Sequence, residues 1–164
     1  RQMCIRDRSI VGGSITEFID TPDNIVASRI CPSTDKEIKK FMKSRCGFNH
    51  MTVMFKKTDV LRAGNYQDWH FNEDYYLWLR MMQHGCKFRN LEDVLVNVRV
   101  GKDMYARRGG WKYFKSEYFL QKYMWQQHII GLFIFLYNVT GRFVVEVMMT
   151  NCLRAWIFQN LLRK

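Results

Sequence analysis

The alternation of apolar and polar residues predicts strands in the part of the chain before residue 101. An apolar, glycine-containing run predicts a strand within residues 9–18, and period-two alternation predicts another over residues 50–56. Residues 87–91 and 94–100 are predicted as two further strands, the second with a valine at every other position on one face. Residues 19–33 contain two prolines and are predicted as a loop.

Capping residues and helical spacing predict helices between and after these strands. Thr34 and Glu37 form a capping box that begins a short helix ending near Arg45. Residues 57–63 are predicted as a single turn that stops at a glycine. The clearest helix covers residues 72–85, with two acidic residues in its first turn and a glycine at its end. Three helices are predicted near the C-terminus, over residues 111–128, 129–139 and 142–162.

The length and apolar content of the chain define its domain organisation. A chain of 164 residues with 48% apolar residues is long enough for one folded domain with a packed core. Residues 1–8 show neither a helical nor a strand period, so we interpret them as an artefact or a disordered segment. The strand in residues 9–18 has no earlier element to pair with, which indicates a start within a sheet. We predict an α/β part over residues 9–110 and a helical tail over residues 111–164.

Positive charge is concentrated in the C-terminal part of the chain. The net charge is +11, and residues 99–164 contain eleven basic residues against three acidic ones. The same stretch is rich in aromatic and aliphatic residues, a mixture that suits an anionic membrane surface better than a DNA groove. The polar stripe of the last predicted helix, surrounded by apolar residues, indicates an interfacial membrane helix, or alternatively a helix that packs on the rest of the protein. Its residues are Arg142, Glu146, Thr150 and Arg154.

The five cysteines and the absence of targeting signals favour a cytoplasmic protein. The cysteines form no CxxC pair and show no metal-ligand spacing with the four histidines, so they are predicted to be reduced thiols. The polar N-terminus does not resemble a secretory signal. The longest apolar run is shorter than the about 20 residues of a spanning helix. We predict a cytoplasmic location, peripheral on the inner face of the cell membrane.

A pair of carboxylates begins the clearest helix. Helical spacing places Glu73 on one face with Arg80, and Asp74 on another face with Trp78. The first face is predicted to be polar and the second to point inward. Both carboxylates could simply complement the helix dipole. Alternatively, an inward carboxylate at a helix N-terminus is held in place and can act as a general base for a substrate hydroxyl.

The two carboxylates belong to a Glu-Asp-Tyr-x-Leu-Trp block that begins at Glu73, the most specific part of a wider pattern over about residues 10–118. The segments of this pattern are residues 11–18, 50–57, 64–66, 72–80, 85, 90–91, 98–100, 104 and 107–109. In order and spacing they resemble the family 2 glycosyltransferases, in particular the bacterial capsule and cell-envelope enzymes with the GT-A fold.

The resemblance implies a fold, a catalytic base and a cofactor. The fold is α/β of GT-A type, of which this chain would be the acceptor-side half, and Asp74 corresponds to the catalytic base of that family. Such enzymes hold a divalent cation, Mg or Mn, with an Asp-x-Asp motif in an N-terminal nucleotide-binding half, and this sequence contains no Asp-x-Asp. We therefore expect the cation to be held outside this chain, no metal site within it, and no activity of the chain alone.

Further residues are candidates for substrate contact. Glu73 belongs to the same block, and Trp78 could stack on a sugar ring or belong to the core. His50 could border an acceptor pocket or be a structural histidine. Arg107 and Arg108, beside two glycines, could close over the departing nucleoside diphosphate or form a solvated basic loop.

Together these features predict an inverting glycosyltransferase. It would move a sugar from a nucleotide-sugar donor to a hydroxyl of a glycan or lipid-linked acceptor at an anionic membrane surface, with Asp74 as base. One alternative is a non-catalytic membrane-docking or scaffold domain derived from such an enzyme. The other is a basic nucleic-acid-binding module, which the apolar character of the basic region disfavours, so no nucleic-acid partner is expected.

Overall fold

The computed structural model describes residues 7–101, 109–150 and 153, which fall into two compact units. The first unit contains the described residues up to Asp68 together with Glu73–Arg99. The second contains Trp69–Asn72 and the described residues from Val100 onward. The first unit is mixed α/β and the second is helical.

A small mixed sheet forms the centre of the first unit. Its central strand is β1 (Ile10–Phe18), and β4 (Phe88–Arg99) runs parallel along the whole of one edge. The other edge is shared by two antiparallel strands, β2 (Ile25–Arg29) and β3 (Met54–Phe55). β1 has partners along both edges and is almost wholly buried, so its sequence is mostly apolar and small residues without alternation, although it also contains the buried Glu17.

The sheet differs from its prediction at three places. Strand β2 lies in the segment that was predicted as a loop. It forms because the edge of β1 supplies hydrogen-bond partners, and local strand propensity does not include such partners. The predicted strand over residues 50–56 is a 3₁₀ turn at His50–Thr52 followed by the short, exposed β3. The two predicted strands after residue 86 are one strand, because irregular pairing opposite residues 13–15 accommodates the acidic interruption at residues 92 and 93.

Three helices complete the first unit close to their predicted positions. Helix α1 (Asp35–Phe41) begins at the predicted capping box, in which the Thr34 hydroxyl accepts a hydrogen bond from the Glu37 backbone N–H. Helix α2 (Lys57–Arg62) stops before Gly64, and α3 (Glu73–Gln83) stops before Gly85. Both glycines have positive φ, at 85° and 73° respectively, which is a conformation that other residues rarely adopt.

The second unit is built around a pair of helices. Helix α4 (Trp111–Gln126) is followed by α5 (Leu132–Phe143) and then by a π-helical turn over Val144–Met148. The predicted helix break near residue 140 was wrong, because α5 continues through Gly141. Of the last predicted helix, residues 151–162 lie outside the described residues except for Leu153.

Candidate active site around Asp74

Asp74 is the second residue of α3, where an acidic side chain is stabilised by the positive end of the helix dipole. Its Oδ1 accepts a hydrogen bond of 2.6 Å from the backbone N–H of Tyr75. The side chain is only 24% exposed, whereas the neighbouring Glu73 is exposed. Helix periodicity therefore predicted the division between an inward and an outward carboxylate correctly.

Burial dominates the electrostatics of Asp74. It raises the pKa of the carboxyl group, because the ionised form loses hydration, and the nearby Glu73 carboxylate raises it further. The hydrogen bond from Tyr75, the interaction with His50 and the positive charge of Arg29 act in the opposite direction. The net result is a pKa above the usual range for aspartate, which makes this carboxylate a stronger proton acceptor than an exposed one.

His50 is brought to Asp74 by a turn that is hydrogen-bonded to β1. The Asn49 side-chain amide donates a hydrogen bond of 2.8 Å to the carbonyl of Gly13. The Thr52 hydroxyl accepts one of 3.0 Å from the N–H of the same glycine and donates one of 2.8 Å to the Asn49 carbonyl. The turn places His50 Nδ1 3.8 Å from Asp74 Oδ2, while 55% of the His50 side chain stays exposed.

An aromatic cluster lies beside this pair and is centred on Trp78. The Trp78 ring centroid lies 6.3 Å from that of Tyr66, 6.5 Å from that of His50 and 6.0 Å from that of Phe55. Trp78 itself is fully buried, so in this conformation it supports the cluster and offers no surface to a ligand. The predicted stacking of Trp78 on a sugar stays a prediction, while Tyr66 and His50 present exposed rings next to Asp74.

Tyr66 is electrostatically linked to the two carboxylates. Burial raises the pKa of its hydroxyl, and the negative charges of Asp74 and Glu73 raise it further. The phenol therefore stays protonated and keeps a hydrogen-bond donor close to the candidate base.

Arg80 fixes the loop that carries Tyr66. The prediction that Arg80 lies on a polar face of α3 was wrong, since the side chain is buried. Its guanidinium donates hydrogen bonds of 2.7 Å to the carbonyls of Ala63 and Asn65. Between these carbonyls the backbone passes through two consecutive positive φ values, at Gly64 and Asn65. Arg80 thus stabilises a strained loop that sequence periodicity on α3 did not reveal.

Arg29 is a positively charged residue near Asp74 that the sequence prediction missed. It lies at the end of β2, the strand that was predicted as a loop, and its guanidinium donates a hydrogen bond of 2.7 Å to the Cys46 carbonyl. Its charge lowers the pKa of Asp74. No local signal identifies this residue, because its position depends on pairing with β1.

Two predicted site residues cannot be located relative to Asp74. Arg107 and Arg108 lie outside the described residues, so their predicted contact with a diphosphate stays a prediction. Within residues 7–101 and 109–150, no group of three or more His, Cys, Asp or Glu side chains is arranged to hold a metal ion. These residues do not fit a complete cation site, and we derive no step through one. The described part of the chain also contains no helix long and apolar enough to cross a membrane.

Comparison with known proteins identifies similar glycosyltransferases. The chain is 41% identical over 155 residues to an uncharacterized glycosyltransferase of Haemophilus influenzae, covering 94% of this chain and 57% of the relative. It is 34% identical over 158 residues to an Escherichia coli UDP-Gal:alpha-D-GlcNAc-diphosphoundecaprenol beta-1,3-galactosyltransferase, covering 96% of this chain and 57% of the relative. It is 48% identical over 86 residues to the amylovoran biosynthesis glycosyltransferase AmsE of Erwinia amylovora, covering 52% of this chain and 32% of the relative.

Neither protein-family models nor solved structures add a match. No family model matches the chain. No solved structure matches it either. The chain is therefore similar over nearly its whole length to named glycosyltransferases, two of which it spans for 57% of their own length.

Proposed function

We propose that the protein containing this chain transfers a sugar from a nucleotide-sugar donor to a hydroxyl of a glycan or lipid-linked acceptor, with Asp74 as the general base. The observation that carries this proposal is the half-buried Asp74 carboxylate, whose raised pKa suits proton abstraction, beside the exposed rings of His50 and Tyr66. The names of the similar proteins support the class of reaction and, in one case, a nucleotide-sugar donor and a diphosphoundecaprenol-linked acceptor.

The two oxygens of Asp74 have different surroundings, which suits this role. Oδ1 accepts the Tyr75 N–H and is thereby oriented, while Oδ2 faces His50 across 3.8 Å. In the proposed step the acceptor hydroxyl gives its proton to Asp74 as its oxygen forms a bond to the anomeric carbon. The bond from that carbon to the donor diphosphate breaks, and the nucleoside diphosphate leaves with the bonding electrons. A single displacement of this kind inverts the anomeric configuration.

The aromatic rings beside Asp74 suit a sugar acceptor. Sugar rings have apolar C–H faces that pack against aromatic rings, and their hydroxyls need hydrogen-bond partners. Tyr66 offers both a ring and a phenolic donor, and His50 lies at the same edge. We assign the acceptor hydroxyl to the space bordered by these two rings and Asp74, within a protein of the GT-A type.

The same proposal includes a peripheral location on the inner face of the cell membrane. It is supported by the positive charge of the C-terminal part of the chain. The name of the Escherichia coli relative also includes a lipid-linked acceptor, a diphosphoundecaprenol. A membrane surface would bring such an acceptor to the enzyme.

Replacement of Asp74 by Asn in the full-length gene product tests the assignment of the base. Asn retains the size and the acceptor for the Tyr75 N–H but cannot accept a proton at neutral pH. We expect turnover to fall by on the order of 10²- to 10⁴-fold, measured as release of nucleoside diphosphate with a lipid-linked acceptor. Because burial disfavours the ionised form in the folded state, the melting temperature at pH 7 should not fall.

Glu73→Gln is the matched control, because it changes an adjacent but exposed carboxylate in the same helical turn. We expect a much smaller effect of this change on turnover. Near-normal turnover in Asp74→Asn, or equal losses in both variants with a lowered melting temperature, would show that the carboxylate pair is structural and that Asp74 is not the base.

A further inference from the structure

In the second unit, polar side chains of α4 and α5 pair with one another in the interior, beside buried apolar residues such as Leu120 and Met124. Arg142 of α5 forms an ion pair of 3.0 Å with the buried Glu117 of α4. One turn of α5 earlier, the Asn138 amide donates a hydrogen bond of 2.9 Å to the buried Gln121 of α4. Arg142 and Glu146 were predicted to form a polar stripe, and Glu146 is buried as well. The first two residues of the predicted stripe therefore face the interior of the unit, whereas Thr150 is exposed and Arg154 lies outside the described residues.

The outer face of α5 is correspondingly apolar. Phe133 is 88% exposed and Tyr137 80% exposed, and the sequence has no charged residue from Ile129 to Gly141. Exposed apolar side chains that accompany them on α5 are Leu132, Ile134 and Leu136. A contiguous apolar surface of this kind on a helix marks a site of contact with an apolar partner. We call these five residues the α5 outer face.

The dimensions of α5 restrict how it can meet a bilayer. Its 12 residues extend about 18 Å, well short of the hydrocarbon core of about 30 Å. A helix of this length with one apolar face lies in the plane of the interface, with that face in the acyl region.

The exposed residues of α4 have the chemistry of the headgroup region. Trp111 and Trp125 are exposed, and so are Lys112 and Lys115. Amphipathic Trp and Lys side chains are stable where an apolar layer meets water, and lysines attract anionic headgroups. The positive charge of the chain favours an anionic bilayer over a second copy, which would bring like charges together.

We propose that the α5 outer face inserts shallowly into an anionic lipid bilayer and positions the enzyme at its membrane-bound acceptor. This inference rests on the proposed function only for the identity of the acceptor. The contact itself is between this chain and lipid, so it can be measured without any sugar substrate.

Sedimentation of the 164-residue chain with vesicles tests the proposal. One vesicle contains phosphatidylcholine and phosphatidylglycerol at about 7:3, and the other contains phosphatidylcholine alone. We expect binding to the first and weaker binding to the second, because lysines contribute attraction. The double variant Phe133→Ser, Tyr137→Ser should partition at least about tenfold less, because two exposed apolar rings are removed.

Ile30→Ser is the matched control, since Ile30 is an exposed apolar residue of the first unit. Its partitioning should be unchanged, and all variants should keep the melting temperature of the parent chain. Because the native tryptophans contribute to the signal, quenching by lipids brominated in the acyl chain is compared with that of the parent chain. Phe133→Trp should add to the quenched fluorescence, whereas the fluorescence that Ile30→Trp adds should not be quenched.

Three results would overturn the proposal. They are no binding to anionic vesicles, equal loss of binding in the double variant and in Ile30→Ser, and a stable dimer in sedimentation velocity that the double variant abolishes. If vesicle binding depends on the α5 outer face but the full-length protein transfers no sugar, this inference is supported and only the proposed function is contradicted.

Discussion

Arg80 is expected to be one of the most important side chains for the stability of the first unit. It is 8% exposed, and its two nitrogens donate hydrogen bonds of 2.7 Å to the carbonyls of Ala63 and Asn65. Its guanidinium also lies 4.4 Å from the centroid of the Tyr76 ring. Arg80→Met keeps the length and apolar character of the stem but removes these hydrogen bonds and the contact with Tyr76.

The expected loss in the free energy of unfolding follows from the interactions that the substitution removes. Each hydrogen bond from a charged donor is worth about 1.5–3 kcal/mol, and the contact with Tyr76 adds about 0.5–1 kcal/mol. Part of this is offset because a buried charge is also removed. We expect a net loss of about 3–5 kcal/mol in the free energy of unfolding, which is a large share of the about 5–15 kcal/mol of a typical domain.

Urea unfolding of the 164-residue chain, followed by tryptophan fluorescence and circular dichroism, measures this loss. Arg62→Met is the matched control, because Arg62 pairs with Asp59 at 3.3 Å but is mostly exposed. That change should cost less than about 1 kcal/mol. Arg80→Lys should lie between the two, since an ammonium lacks the fork that reaches both carbonyls. A loss below about 1 kcal/mol in Arg80→Met would refute the role of Arg80 in fixing the loop.

Three further predictions concern pH, packing and the isolated chain. In the full-length gene product, kcat/KM should decline as pH falls through the raised pKa of Asp74, and His50→Ala should move this acidic limb to still higher pH; an acidic limb at the usual aspartate pKa would contradict this. Gly12→Ala should lower the free energy of unfolding by about 1–3 kcal/mol, because its Cβ would lie 2.6 Å from Asn90 Oδ1, whereas Gly101→Ala meets no atom within 4 Å and should have little effect. The 164-residue chain alone should transfer no sugar, and metal-dependent turnover by it would contradict the assignment of the donor site to residues outside this chain.

Local sequence signals determined the helices and the orientation of the candidate base. The capping box of Thr34 and Glu37 and the positive-φ glycines at 64 and 85 act within one or two helical turns, so a linear pattern contains all the information needed. The period of the helix likewise separates Asp74 from Glu73 without reference to any other element. The Glu-Asp-Tyr-x-Leu-Trp block also suggested the kind of reaction, and the names of the similar proteins agree with it.

Strand pairing, by contrast, was decided by contacts between distant parts of the chain. Strand β2 and its Arg29 depend on the free edge of β1, and the approach of His50 to Asp74 depends on hydrogen bonds between its turn and Gly13. These contacts join residues from 7 positions apart, as Phe18 and Ile25 are, to 39 positions apart, as Gly13 and Thr52 are. They depend on a partner segment, so the propensity of each segment alone does not encode them.

Tertiary structure also decided which side of a helix faces inward. The periodicity of residues near Arg142 showed a polar stripe and an apolar surface, but both arrangements have the same period. The inward choice follows from partners on α4, where Glu117 pairs with Arg142 and Gln121 with Asn138. Arg80 shows the same effect in the first unit, because both carbonyls that it binds belong to the loop that follows α2. A sequence thus determines where a polar side chain stands on its helix, and the surrounding elements determine whether that position is exposed or buried, because burial of a polar group is stable only where a partner exists.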